Sequence, residues 1–309
     1  MSTTLAQPAT TAVQQPTTLS RLAAVALGFM VIVILEGAVV RATGSGAGCG
    51  NHWPLCNGEV IPHHPRLATV IEFVHRQLTT VCTLLVVALI TLTFRSKPKG
   101  HRARRAAVWS GVLLLTEAAL GAILVKGGYV EANASNMRVL VQCIHFTNTM
   151  LLMGALTLAW WWSRDRSPVP ATPRARPIAW IALAATLLVG ATGSVAALAD
   201  TLFPSPSLIA GLQQDFAANA PLLIRMRWLH PAAAVVGLAA AIGLSLLLRG
   251  NTARWLLTLI AAQFVLGTAD VLLLAPTWLQ VLHLLGADLY WIALVAISAS
   301  VLRPAPSKP

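Results

Sequence analysis

The chain has 309 residues, of which 56% are hydrophobic and 10% charged, and its formal net charge is +12. Soluble globular chains carry about 25% charged residues, so this composition excludes an ordinary water-soluble domain and defines a membrane protein. The basic excess does not point to nucleic acid, because it clusters in short loops between apolar runs, where it acts as an orientation signal.

Residues 1–20, "MSTTLAQPATTAVQQPTTLS", read as a polar, disordered tail. With no basic stretch at its start and no arginine before Arg21, it has the pattern of neither a cleaved secretory signal nor a mitochondrial transit peptide. The first helix is therefore expected to persist as an anchor. Eight apolar runs follow at about 21–40, 69–94, 106–125, 139–162, 178–199, 226–248, 255–275 and 279–302. Each is close to the roughly 17–25 residues that a spanning helix needs. The expected fold class is all-α integral membrane, with eight transmembrane helices. The 2–3 loop "RSKPKGHRARR" has six basic residues and the 4–5 loop has four. With Arg21, Arg249, Arg254, Arg303 and Lys308, one side collects 15 of the 22 basic residues. That side is cytoplasmic, both termini lie on it, and the 1–2, 3–4, 5–6 and 7–8 loops face outward.

The chain reads as its first half written twice. Thr43-Gly44-Ser45 at the end of the first span answers Thr192-Gly193-Ser194 in the fifth. Glu117, four before Gly121, answers Gln263, four before Gly267. Gln142-x-x-His145 answers Gln280-x-x-His283, and His75 answers His230. Each half has an even number of spans, so the repeat is parallel about an axis along the membrane normal. The expected architecture is two pseudo-repeated four-helix bundles, 21–162 and 178–309, joined by a cytoplasmic linker at 163–177.

His75, His145, His230 and His283 stand near the outer ends of spans 2, 4, 6 and 8, and the other four histidines lie in loops. A single intramembrane histidine is explained by interhelical hydrogen bonding. Four at one depth, matched across a repeat, favour metal ligation. Two histidines from facing helices can hold a haem iron from both sides, giving one haem site per half. A zinc site would want its ligands converging on one ion. Arg41, Arg76, Arg138, Arg225 and Arg227 lie near the same interface, where they either meet haem propionates or snorkel to headgroups.

The 1–2 loop, "RATGSGAGCGNHWPLCNGEVIPHHPR", places Cys49 and Cys56 on the oxidising face, where a disulfide is natural and free thiols are the alternative. No C-x-x-C-H haem-attachment pattern occurs. Cys82 and Cys143 read as packing residues. Glu72 precedes His75 by three residues, on the same helix face, while Arg227 stands at the matching place before His230. The first half thus carries a carboxylate and a cysteine pair, and the second is expected to carry neither. This assigns a reactive site to the first half and an electron-carrying haem to the second.

"RATGSGAGCGNHWPLCNG" followed by "EFVHR", and later "WLH" and "LQVLH", together resemble the heme A synthase family over nearly the whole chain after the tail. The resemblance implies oxidation of a ring methyl of haem O to the formyl group of haem A, for assembly of terminal oxidases. It implies that His75 and His145 bracket the substrate haem O, that His230 and His283 ligate a haem b cofactor, and that Glu72 is catalytic. It matches Cys49 and Cys56 to an external cysteine pair. It assigns no role to Glu36, Glu117 or Asp270. Glu117 stands where the glutamine of the seventh span leads one to expect Gln, and a hydrogen bond within the bundle is the simplest reading of Glu36 and Glu117. The implied partners are membrane lipid, a haem O synthase and an electron donor, and the implied location is a bacterial plasma membrane. The competing readings are a non-enzymatic dihaem b-type cytochrome, which leaves Glu72 and the cysteines unexplained, and a transporter built on repeats, which would favour a midplane ion site.

Overall fold

A computed structural model of the chain describes residues 17–164, 173–248 and 251–302. Residues 1–16 of the expected tail, 165–172 of the expected linker, and Arg249, Arg303 and Lys308 lie outside the described residues.

Among the described residues ten α-helices run in the order α1 (Thr18–Ala42), α2 (Leu67–Ser96), α3 (Arg102–Lys126), α4 (Asn136–Ser163), α5 (Ala175–Leu202), α6 (Leu208–Asp215), α7 (Leu222–Arg225), α8 (Leu229–Leu247), α9 (Asn251–Leu272) and α10 (Thr277–Val301). No strand occurs among the described residues, where only an isolated bridge joins Cys56 to Glu59. Among the described residues eight spans are long and apolar enough to cross a membrane, the sixth being α7 and α8 taken together, Leu222–Leu247. The chain is an integral membrane protein. Where neighbouring water is replaced by hydrocarbon, only structures that satisfy their own backbone survive, and these helices do so.

The spans begin and end within a few residues of the expected positions. Two differences have clear causes. The tail was expected to reach residue 20, but α1 starts at Thr18, because the Thr17 hydroxyl accepts from the Ser20 amide at 3.2 Å and caps the helix. The sixth span is broken. Pro231 has no N–H to return to the preceding turn, so α7 stops at Arg225 and α8 restarts at Leu229, with Pro231 in its first turn, where proline is tolerated. The short helix α6 in the 5–6 loop was not anticipated. Its apolar residues Ile209 and Leu212 are exposed.

α4 and α10 are the most buried spans, and α3 and α9 the least. The Trp291 indole of α10 donates to the Met150 carbonyl of α4 at 2.8 Å, and Gly154 lies against the same ring. Gly190 of α5 leaves room for Met150, whose sulfur would lie 2.1 Å from a Cβ there. Arg41 of α1 donates to the Ala197 carbonyl (2.6 Å) and the Thr201 hydroxyl (2.5 Å) of α5 and to Gln280 Oε1 (2.8 Å) of α10. The first four spans are thus tied to the last four through α1, α4, α5 and α10. Outward, Leu84, Trp109, Leu115, Trp255 and Phe264 are exposed, as lipid-facing side chains are in a membrane bundle.

Candidate functional site

Each of the four helical histidines falls within the first ten residues of its span. His75 stands eight residues after Leu67, His145 nine after Asn136, His230 eight after Leu222 and His283 six after Thr277. At about 1.5 Å per residue this is a depth of roughly 9–14 Å from each helix start.

Each histidine is received by a glycine of the preceding span. A Cβ on Gly37 would lie 3.1 Å from His75 Cε1, one on Gly193 2.9 Å from His230 Cε1, one on Gly267 3.0 Å from His283 Cε1, and one on Gly121 3.9 Å from His145 Cε1. Bare backbone here lets a helix and an imidazole share one layer. This changes one correspondence read from the sequence. Thr43 and Gly44 follow the end of α1, whereas Thr192-Gly193-Ser194 lies inside α5, so the two triplets are not equivalent. Gly37, two turns earlier, is the residue that meets His75, while Gly44 has nothing near it.

One of the two expected pairs makes a ring contact. The His230 and His283 rings are 6.4 Å apart, centre to centre, at an interplanar angle of 77°. Imidazole–metal bonds of about 2 Å, with the distance from each nitrogen to its ring centre added, place two ligands of one ion about 6 Å apart. His230 Nδ1 is 3.1 Å from the Val189 carbonyl, which can only accept, so Nδ1 carries the proton and Nε2 is left bare for a metal. His283 Nδ1 is buried without a hydrogen-bond partner. His75 stands in α2 and His145 in α4. Their Nδ1 atoms face carboxylates, Glu36 Oε2 at 2.6 Å from His75 and Glu117 Oε1 at 3.3 Å from His145. Neither nitrogen completes a hydrogen bond. The bare Nε2 of His230, the 6.4 Å ring separation and the glycine beside each ring fit a group that enters between His230 and His283. Among the described residues no cluster of three or more His, Cys, Asp or Glu could hold a bare ion.

Glu72 lies under the cysteine loop. It is 3% exposed, and both its oxygens are engaged. Oε2 accepts from the Cys49 amide at 2.7 Å, and Oε1 from Arg76 Nη2 at 2.5 Å and Nε at 3.1 Å. Arg76 also donates to the carbonyls of His52 (2.7 Å) and Leu55 (2.6 Å). Together they fasten the cysteine loop to α2. Within that loop the Cys49 and Cys56 sulfurs lie 2.03 Å apart.

Arg138 and Arg227, like Arg41, have protein partners. Arg138 donates to the carbonyls of Glu131 and Asn133. Arg227 pairs with Asp200 and Asp215, each at 2.9 Å. The second half therefore does carry carboxylates at its outer end, contrary to the one-sided distribution read from the sequence. Arg225 is exposed.

Eight apolar spans among the described residues, with a histidine set against a glycine in each successive pair, define a multi-span helical membrane protein. The chain belongs to the COX15-CtaA family of cytochrome oxidase assembly proteins, whose family model matches residues 20–295. It is similar to a Thermus thermophilus protein named Protoheme IX farnesyltransferase, with 41% identity over 297 residues, covering 92% of this chain and 49% of the relative. It is also similar to proteins named Heme A synthase from Bacillus cereus and Bacillus anthracis, with 35% identity over 129 residues, covering 42% of this chain and 39% of each relative. The chain thus spans half or less of the length of these curated relatives. The family places the chain among proteins of cytochrome oxidase assembly.

Proposed function

We propose that the chain is a heme A synthase that oxidises a ring methyl of haem O to a formyl group. His75 and His145 hold the substrate haem O, and His230 and His283 hold a resident haem b. The observation that carries this reading is the 6.4 Å separation of the His230 and His283 rings, in a chain of this family. Bound haem b supplies one-electron transfer, so the second half serves as the electron relay. The protein's part is to orient. The Val189 carbonyl fixes the His230 tautomer, and Gly193 and Gly267 hold the second pair of rings at the helix backbone.

Glu72 is proposed as the catalytic carboxylate. Three donors on its oxygens favour a fixed negative charge over a proton acceptor, so its role is to steady positive charge developing at the reacting methyl. The same engagement favours, as second reading, a dihaem b-type cytochrome in which Glu72 only secures the loop. Glu72→Gln separates the two. Expressed with a haem O source and analysed by chromatography of extracted haems, this variant is expected to retain haem b, lose haem A by about 100-fold, and accumulate haem O or a hydroxylated intermediate. Normal haem A from this variant would hand the case to the cytochrome.

The proposed setting is a bacterial plasma membrane with both termini cytoplasmic and the Cys49–Cys56 pair oxidised outside. Each half is a haem-binding four-helix unit of a parallel repeat. The relative named Protoheme IX farnesyltransferase supports, as partner, an enzyme that farnesylates protohaem to supply haem O. Orientation is tested by thiol labelling of intact cells with a membrane-impermeant reagent. Val60→Cys should label, and Lys99→Cys should label only after permeabilisation. The opposite pattern inverts the topology.

A further inference from the structure

The two halves differ in what stands behind their histidines. In the first half both Nδ1 atoms face a carboxylate, Glu36 at 2.6 Å and Glu117 at 3.3 Å. In the second half His230 faces a neutral carbonyl, and Gln263, at the place matching Glu117, donates to the His283 main-chain carbonyl at 3.2 Å instead. Thr192 stands before Gly193 where Glu36 stands before Gly37. The carboxylates are also held differently. Glu117 is fixed by α4, accepting from Asn148 Nδ2 at 2.6 Å and from the Thr149 hydroxyl. Glu36 Oε2 is buried with no hydrogen-bond partner, so the closest polar group to it is the imidazole.

A carboxylate inside a membrane bundle is costly and marks a functional position unless a cation pairs with it. No arginine or lysine pairs with Glu36 or Glu117 among the described residues. A carboxylate behind a ligating histidine orients the ring and raises its basicity. Negative charge on a ligand favours the higher oxidation state of the metal it binds. A backbone carbonyl does this far less.

We propose that Glu36 and Glu117 are positioning residues that lower the reduction potential of a haem held by His75 and His145 below that of a haem held by His230 and His283. The inference rests on the ligand assignment made above. Its consequence is an ordering of the two sites: the first-half haem is the more easily oxidised, and an electron resides preferentially in the second half. The carboxylates thus give two sets of similar bis-histidine ligands unequal roles.

The test is a redox titration of purified, haem-loaded protein, with each haem followed by its own absorbance. His75→Ala and His230→Ala identify which band belongs to which half. Glu36→Gln is expected to raise the midpoint of the first-half haem by about 59 mV, a tenfold shift in its one-electron equilibrium, and to leave the second-half midpoint in place. Glu117→Gln should move it the same way. Glu36→Asp keeps the charge and should stay near the wild-type value. If Glu36→Gln cannot hold the first haem, Glu36→Asp must still hold it, and an aspartate variant that also loses it overturns the proposal. Midpoints unmoved in both glutamine variants with both haems present overturn it too, while leaving the ligand assignment intact. A wild-type protein with no haem sensitive to His75→Ala sinks the assignment itself, and this inference with it.

Discussion

Replacing His230 or His283 with alanine is expected to remove the haem b absorbance of the second half while the first-half haem remains. The rings stand 6.4 Å apart, so one vacancy leaves the other imidazole with no partner across the iron. Losing a residue that merely orients a ligand commonly costs 10–100-fold in metal affinity, so losing the ligand itself is expected to cost about 100-fold or more. Gly193→Ala gives the same result by a different route. Its new methyl would lie 2.9 Å from His230 Cε1 and 3.1 Å from Nδ1, so the ring must swing away from the Val189 carbonyl that fixes it. Gly28→Ala is the control, because nothing lies within 4 Å of a Cβ at that helical position. Absorbance spectra of the purified variants read all four. Retention of the full b-type band in both histidine variants would dissociate this pair from haem binding.

The bundle was legible because eight apolar runs of spanning length admit few other folds, and the histidines because imidazoles are scarce in such runs. The break in the sixth span was missed, although Pro231 carries its signal: a missing N–H in a run otherwise read as continuous. The partners of Arg76 and Arg138 were not legible, since they include main-chain carbonyls of His52, Leu55, Glu131 and Asn133, which every residue possesses. Glu72 is one turn before His75 on the same helix, and its ion pair with Arg76, at a spacing of four, is equally legible as a helical pair. Glu36 touches His75 across 39 positions of chain, and only the packing of α1 on α2 brings them together. The one clue in the sequence was the glycine beside it. Glycine recurs in the odd spans wherever an imidazole of the next span needs room.

Gly48→Ala is expected to have the largest effect on the outer loop. A Cβ at this position would lie 2.3 Å from the Ala68 carbonyl oxygen, 2.4 Å from its carbon and 2.6 Å from the Thr69 nitrogen. These are backbone atoms at the start of α2, so no rotamer change relieves the overlap. Either the loop lifts or the helix start unwinds. Lifting breaks the bond from the Thr69 hydroxyl to the Gly48 carbonyl (2.7 Å) and the bond from the Cys49 amide to Glu72 (2.7 Å). Overpacking alone costs about 1–3 kcal/mol. Stripping an amide from a buried carboxylate adds about 1.5–3 kcal/mol. Gly58, in the same loop at φ +85°, has open space around it, so Gly58→Ala carries only local backbone strain and separates a damaged turn from an undocked loop. The comparison is made by limited proteolysis of the purified protein and by its thermal unfolding in detergent. Gly48→Ala should be cut rapidly between Gly48 and Pro65 and should melt well below Gly58→Ala. If the loop is instead cut at the wild-type rate, Glu72 and Arg76 are not what holds it down. The carboxylate would then be free for chemistry at the haem, and the Glu72→Gln result would have to be read as loss of a proton acceptor.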